Sequence, residues 1–195
     1  MPLPVAHSLV GASIVALTVR DLSWKDGWKP ILIGAAIGAI PDLDLIITWG
    51  LRWGLKYHGS YTHSILFAFA LGSAVALLRK EVNVRAASGY IGAVLSHGLL
   101  DALTKKEYGG VQLFWPFSTE RYKWGLMSNY EFYPNPAQQS VMEILQQSWR
   151  FCLREFLIVF PVLLLIVVVK SRRRWWPLLG AKIIAQGDSH GTRPE

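Results

Sequence analysis

Cysteine is nearly missing from this chain. Cys152 stands alone, so no intrachain disulfide can form and no thiolate cluster can hold a metal. Charge is sparse as well, at 17% of residues. The net charge of +7 does not point to a polyanion, because the bases sit in short clusters between apolar segments and not in one stripe. No nucleic-acid partner is expected. A basic region ahead of the first apolar stretch is lacking, which argues against a cleaved signal peptide and predicts that this stretch stays in the protein. Internal repeats and low-complexity tracts are absent too, apart from a polar tail, 186–195, expected to be disordered.

What is abundant is apolar. Hydrophobic residues make up 52% of the chain, and several of the nine tryptophans (Trp24, Trp28, Trp49, Trp53, Trp175, Trp176) flank apolar runs, as interfacial anchors do. Five apolar segments lie at 3–19, 30–48, 64–78, 86–103 and 156–169. Several fall short of the ~20 residues a straight span prefers, so flanking residues have to supply length. Small residues such as Gly11, Gly34, Gly38, Gly72 and Gly92 suit close helix packing in lipid. The expected fold is all-α: an integral membrane bundle of about five segments in one domain, 1–185. In the long link 104–155, Asn135-Pro136 reads as a cap and first helical proline, opening an amphipathic helix with Val141, Ile144, Leu145 and Trp149 on one face. That helix is expected to lie along the membrane surface. Lys and Arg concentrate in alternate links (Arg20, Lys25, Lys29; Arg79, Lys80, Arg85; Lys170, Arg172, Arg173, Arg174, Lys182), which should face the cytoplasm and put the opposite end outside.

Ionisable groups within apolar segments are costly unless paired or bound, so each is a functional candidate. Seven stand out. His7 opens the first segment, Asp42 and Asp44 lie late in the second, His58 and His63 precede the third, and His97 and Asp101 lie late in the fourth. In an up-and-down bundle all seven fall at one end. His97 and Asp101, four apart, are neighbours on one helix face and can grip one cation or bridge two. Pro41 interrupts the helix beside Asp42 and Asp44 and frees both carboxylates to turn inward, one as a ligand and the other orienting a ligand. Thr62 reads as the N-cap of the third segment, leaving His58 to reach in from the loop and His63 at the helix start. Any one of these residues alone would read as a hydrogen-bonded core group; four His and three Asp together favour a metal. Nitrogen and oxygen donors without sulfur suit zinc, manganese or iron, and zinc is the commonest hydrolytic choice. Serine catalysis is the weaker chemistry, since neither Ser64 nor Ser96 sits in a nucleophile-elbow pattern.

The string of His7, Pro41-Asp42-Leu43-Asp44, His58-Gly59-Ser60-Tyr61-Thr62-His63-Ser64, Ser96-His97, Asp101-Ala102-Leu103-Thr104 and Trp115-Pro116-Phe117 resembles the YdjM-type membrane-bound metal-dependent hydrolases. That family is similar, remotely, to zinc-dependent phospholipases C. The resemblance implies that Asp42, His63, His97 and Asp101 hold one metal and His7 helps hold another, with Asp101 as a bridge. Leu45 and Gly59 stand where the family pattern often has His and Arg, and no downstream His-x-x-x-Glu follows, so one or two ions are implied and not three.

The expected function is hydrolysis by metal-activated water at the surface of the inner membrane, on its outer side, acting on a phosphoester or lipid-like substrate. Asp44 and His58 are the candidates for moving protons. Arg52, Lys105 or Arg121 would meet a phosphate, and Trp115 and Phe117 would form an apolar wall. Two other classes use the same residues: a metal-binding or metal-transporting membrane protein without hydrolysis, and a structural protein whose cluster only ties helices together.

Overall fold

The computed structural model describes residues 4–19, 27–45, 57–81, 83–104, 110–127 and 138–188, with side chains up to 171. Among the described residues five α-helices carry the fold: α1 (Pro4–Thr18), α2 (Trp28–Ala39), α3 (Ile65–Leu78), α4 (Val84–Leu103) and α5 (Val141–Asp188). Among the described residues there is no strand, only an isolated antiparallel bridge between Val111 and Tyr122.

Each helix begins or ends where its residues dictate. Pro41 has no backbone N–H to continue α2, and the chain tightens into a 3-10 turn, Ile40–Leu43. Ser64, not Thr62, caps α3: its hydroxyl accepts the Phe67 N–H at 3.1 Å. Thr62 fails as the cap because it lies in a separate 3-10 turn, Tyr61–His63, one residue earlier, where its hydroxyl is drawn to a buried carboxylate. Asn83 caps α4 by accepting from Ala86 N at 2.9 Å. Ser140 and Glu143 form a capping box at the start of α5, with Glu143 N donating to Ser140 Oγ at 3.3 Å and Ser140 N donating to Glu143 Oε2 at 2.7 Å. The expected cap, Asn135-Pro136, lies outside the described residues.

The expected surface helix is not separate. Residues from Val141 onward run without a break into the last apolar segment as a single 48-residue helix, because nothing between them interrupts the backbone ladder. Helix continues through Asp188, three residues into the segment expected to be disordered. The spanning pattern differs too. Among the described residues one stretch, Val141–Ser171 of α5, is long and apolar enough to cross a membrane. α1, α2 and α3, at 15, 12 and 14 residues, are shorter than the ~20 that a straight span requires. The described residues therefore form five α-helices without establishing the expected five spans. Phe156, Leu157, Ile158, Val162, Leu164, Leu165 and Val169 of α5 are all exposed, which an apolar solvent would tolerate.

Close helix packing positions the site. α1 packs against α2, α4 and α5, and α3 against α4, around a core of Val15, Ile37, Ala68, Ala76, Tyr90, Ala93 and Val94. Gly34 and Gly38, one turn apart on α2, face Gly11 on α1; a Cβ at Gly38 would lie 2.6 Å from the His7 carbonyl oxygen. Only glycine lets the end of α2 come this near His7. Gly98 does the same for α4, where a Cβ would run into the His63 carbonyl oxygen. Residues 110–127 close this end of the molecule. Ile65 N donates to Leu113 O at 2.9 Å, Gln112 N to Gly59 O at 2.8 Å and Trp124 N to Ala102 O at 2.7 Å, while Val111 and Leu113 are buried against Ala102.

Candidate metal centre

All seven titratable residues singled out from the sequence are brought together at this end. His7 comes from the first turn of α1, Asp42 from the 3-10 turn after α2, Asp44 just beyond it, His58 from the loop, His63 from the 3-10 turn before α3, and His97 and Asp101 from the last turns of α4. His7, His97 and Asp101 are fully buried, and Asp42, the most accessible of the three carboxylates, is 9% exposed.

The hydrogen bonds assign the imidazole protons. His97 Nδ1 faces the Gly38 carbonyl at 2.8 Å, and a carbonyl only accepts, so Nδ1 carries the proton. Thr62 Oγ1 donates its one hydrogen to Asp44 Oδ2 at 2.8 Å and therefore accepts from His63 Nδ1, 2.9 Å away. With both rings neutral, the Nε2 atoms of His63 and His97 are bare lone pairs, yet they stand 3.2 Å apart. A cation between them, or a proton shared by the two nitrogens, makes that arrangement favourable. Two carboxylate oxygens complete the set: Asp42 Oδ1 is 3.3 Å from His97 Nε2 and 3.8 Å from His63 Nε2, and Asp101 Oδ2 is 3.3 Å from His63 Nε2 and 3.9 Å from His97 Nε2. Donors held about 2.0–2.2 Å from a tetrahedral zinc stand roughly 3.3–3.6 Å from one another, close to these spacings.

Further contacts extend the cluster. His7 stacks on His97 with ring centroids 3.7 Å apart, and its Nε2 lies 3.5 Å from Asp101 Oδ1. Neither ring nitrogen of His7, nor Asp42 Oδ1, has a hydrogen-bond partner among the described residues, although all are buried. Buried polar atoms without partners are rare in native proteins and call for an explanation such as an ion. Two groups of ligand atoms, each within 4.8 Å of one another, could hold a metal ion: Asp42, His58, His63 and Asp101 in one, and His7, Asp42 and His97 in the other. Asp42 is common to both groups, whereas the sequence resemblance gave the shared place to Asp101. Among the described residues Asp42 meets only histidines as ion-pair partners.

Asp44 stands behind this shell. Its Oδ1 accepts His58 Nδ1–H at 2.7 Å while its Oδ2 accepts from Thr62, so one carboxylate orients His58 directly and His63 through a hydroxyl. His58 Nε2 is left facing Asp42 Oδ1 at 4.0 Å. Carboxylate–histidine pairs of this kind fix tautomer and ring angle at metal sites.

The profile of the family described as "YdjM inner membrane protein" matches residues 1–179. The chain belongs to that family. No curated protein and no solved structure matches it. Membership in the YdjM family, with the apolar helix α5, gives the chain an inner-membrane location.

Several expectations around the cluster change. Arg121 does not present a free guanidinium to a phosphate. Its Nη1 donates to the carbonyls of His58 at 3.1 Å and Gly110 at 2.9 Å, and its Nη2 to Ser60 Oγ at 3.1 Å, so it pins the His58 loop to residues 110–127. Burial lowers its pKa from the ordinary guanidinium value. Arg52 and Lys105 lie outside the described residues. Trp115 and Phe117 are exposed, with Trp115 near Tyr61 at a ring separation of 6.0 Å. Sequence reasoning missed the linking role of Thr62, the Gly38 carbonyl and Glu155. Only Glu155 carried a signal, as a lone acid at the edge of the last apolar run.

Proposed function

We propose that this chain is a membrane-bound metal-dependent hydrolase acting on a phosphoester or lipid-like substrate. The observation that carries the reading is the pair of Nε2 atoms on His63 and His97 facing each other at 3.2 Å, bracketed by Asp42 and Asp101. In this reading Asp42, His63, His97 and Asp101 hold one divalent cation, and His7 contributes to a second. Zinc fits the all-nitrogen-and-oxygen donor set best, with manganese or iron as the other candidates. Bound there, the cation supplies Lewis acidity and hydroxide at neutral pH. The chain's own groups do the rest. Asp44 keeps the Nδ1–H of His58 in place, so His58 Nε2 can take up or return a proton at the reacting oxygen. Thr62 keeps His63 in the tautomer that leaves its Nε2 open.

The membrane location and the exposed Phe114, Trp115 and Phe117, of which Trp115 lies near Tyr61, favour an amphiphilic substrate, approached from the outer face in the orientation that the Lys and Arg pattern favours. Transport of the metal is the less favoured reading, because the described core beyond the cluster is mainly apolar, with Val15, Ile37, Ala68, Ala76, Ala93 and Val94 beside Tyr90, whose hydroxyl donates to Glu81. The test is hydrolysis of phospholipid and nucleotide diesters by detergent-purified protein supplied with Zn²⁺ or Mn²⁺. Turnover that chelator abolishes supports the proposal; metal-loaded protein inert on every ester counts against it.

A further inference from the structure

The last apolar run, 156–169, is bracketed by two charges, Glu155 and Lys170. Both turn back onto α1. Glu155 is buried, and its Oε2 accepts the Ala6 backbone N–H at 3.1 Å. Lys170 Nζ donates to the carbonyls of Ala16 at 2.7 Å, Leu17 at 3.0 Å and Val19. α1 and this part of α5 therefore run parallel. The spacing of the two charges, ~22 Å at 1.5 Å per residue, matches the length of α1. α1 has no acid in its own first turn and no base in its last. α5 supplies both, each at the helix end whose dipole and unsatisfied backbone groups it complements. A slip of α5 by one residue would move both charges by ~1.5 Å and rotate them by about 100°, breaking the two contacts together.

The consequence falls on His7. His97 is oriented by the Gly38 carbonyl, His63 by Thr62 and His58 by Asp44, but the His7 ring nitrogens make no hydrogen bond among the described residues beyond the looser 3.5 Å approach of Nε2 to Asp101 Oδ1. The place of its ring is set by the backbone of the first turn of α1, by stacking on His97 and by that approach to Asp101. We propose that Glu155 is a positioning residue of the metal centre: by holding the Ala6 N–H it fixes the first turn of α1, and so His7, while Lys170 fixes the register of the pair. This rests on the metal-centre reading above.

The experiment is Co²⁺ titration, followed by visible absorption, of the full chain in detergent, for wild type, Glu155→Ala, Glu155→Gln, His7→Ala and the Glu155→Ala/His7→Ala double variant. Glu155→Ala should weaken Co²⁺ binding about tenfold or more, as loss of an orienting group does at other metal sites. Glu155→Gln keeps an acceptor and should restore most of the affinity. In the His7→Ala background Glu155→Ala should cost nothing further. Unchanged affinity in Glu155→Ala, or a loss that adds in full to that of His7→Ala, overturns the positioning role while leaving the metal centre standing. Wild type that binds no Co²⁺ overturns the metal centre itself, and the proposal with it. Should Glu155→Ala not fold, Glu155→Asp carries the same test: its shorter acid should weaken binding only where His7 is present, and a loss independent of His7 overturns the proposal.

Discussion

Thr62→Val removes one oxygen from the centre and little else, since the two side chains have nearly the same shape. That oxygen makes two buried contacts, donating to Asp44 Oδ2 at 2.8 Å and accepting from His63 Nδ1 at 2.9 Å. Each partner left unsatisfied in a buried site costs about 1–3 kcal/mol. The larger effect is on the tautomer. Without an acceptor at Nδ1, the His63 proton gains nothing by staying there and can move to Nε2, the atom that faces His97, Asp42 and Asp101. A metal then has to displace that proton before it binds. Metal affinity should fall about 10- to 100-fold, the usual cost of losing an orienting group, which is roughly 1.4–2.7 kcal/mol. Competition between the purified protein and a chromophoric chelator for Zn²⁺ measures this directly. Thr62→Ser, which keeps the hydroxyl, should stay near wild type. A Val variant that binds Zn²⁺ as tightly as wild type would refute the tautomer argument, and a Ser variant as weak as Val would show that the methyl group, not the oxygen, matters.

Three further substitutions separate packing, loop and cap effects. Gly98→Ala would drive a methyl group into the His63 carbonyl, so it should destabilise the fold by about 1–3 kcal/mol in thermal melts and lower metal content, whereas the same change at an open helical position should not. Arg121→Ala releases the carbonyls of His58 and Gly110; metal content should be retained while diester turnover falls about tenfold or more, since His58 loses its fixed place, and unchanged turnover would remove His58 from proton transfer. Ser140→Ala breaks the capping box at the start of α5 and should cost about 0.5–2 kcal/mol, seen as faster amide exchange at the first turn of α5, with metal binding untouched.

Much of the helical layout could be read from hydrophobicity alone. The segments expected at 3–19, 64–78 and 86–103 correspond to α1, α3 and α4 within two residues at each end. The turn at Pro41 was legible because proline cannot continue the ladder of α2. Spans were less legible, because an apolar run of 12–15 residues reads alike whether it crosses lipid or packs inside a bundle. The joining of the amphipathic stretch to the last apolar segment was hidden by a change of face pattern that the backbone ignores: charges at Arg150, Arg154 and Glu155 look like a boundary, but each is helix-compatible. At the cluster, alternation of helices was enough to put His7, Asp42, His97 and Asp101 at one end. Which atoms face one another depends on contacts that no spacing encodes, such as the Gly38 carbonyl on His97 and the Thr62 hydroxyl between Asp44 and His63.

The most direct test of the central claim is elemental analysis of the purified wild-type chain beside Asp42→Ala, the variant lacking the carboxylate common to both groups of ligand atoms. One or two equivalents of a divalent metal in wild type, lost from a variant that keeps its helical circular dichroism, is the predicted result. Folded wild type without stoichiometric metal, or Asp42→Ala with its metal intact, would contradict the account.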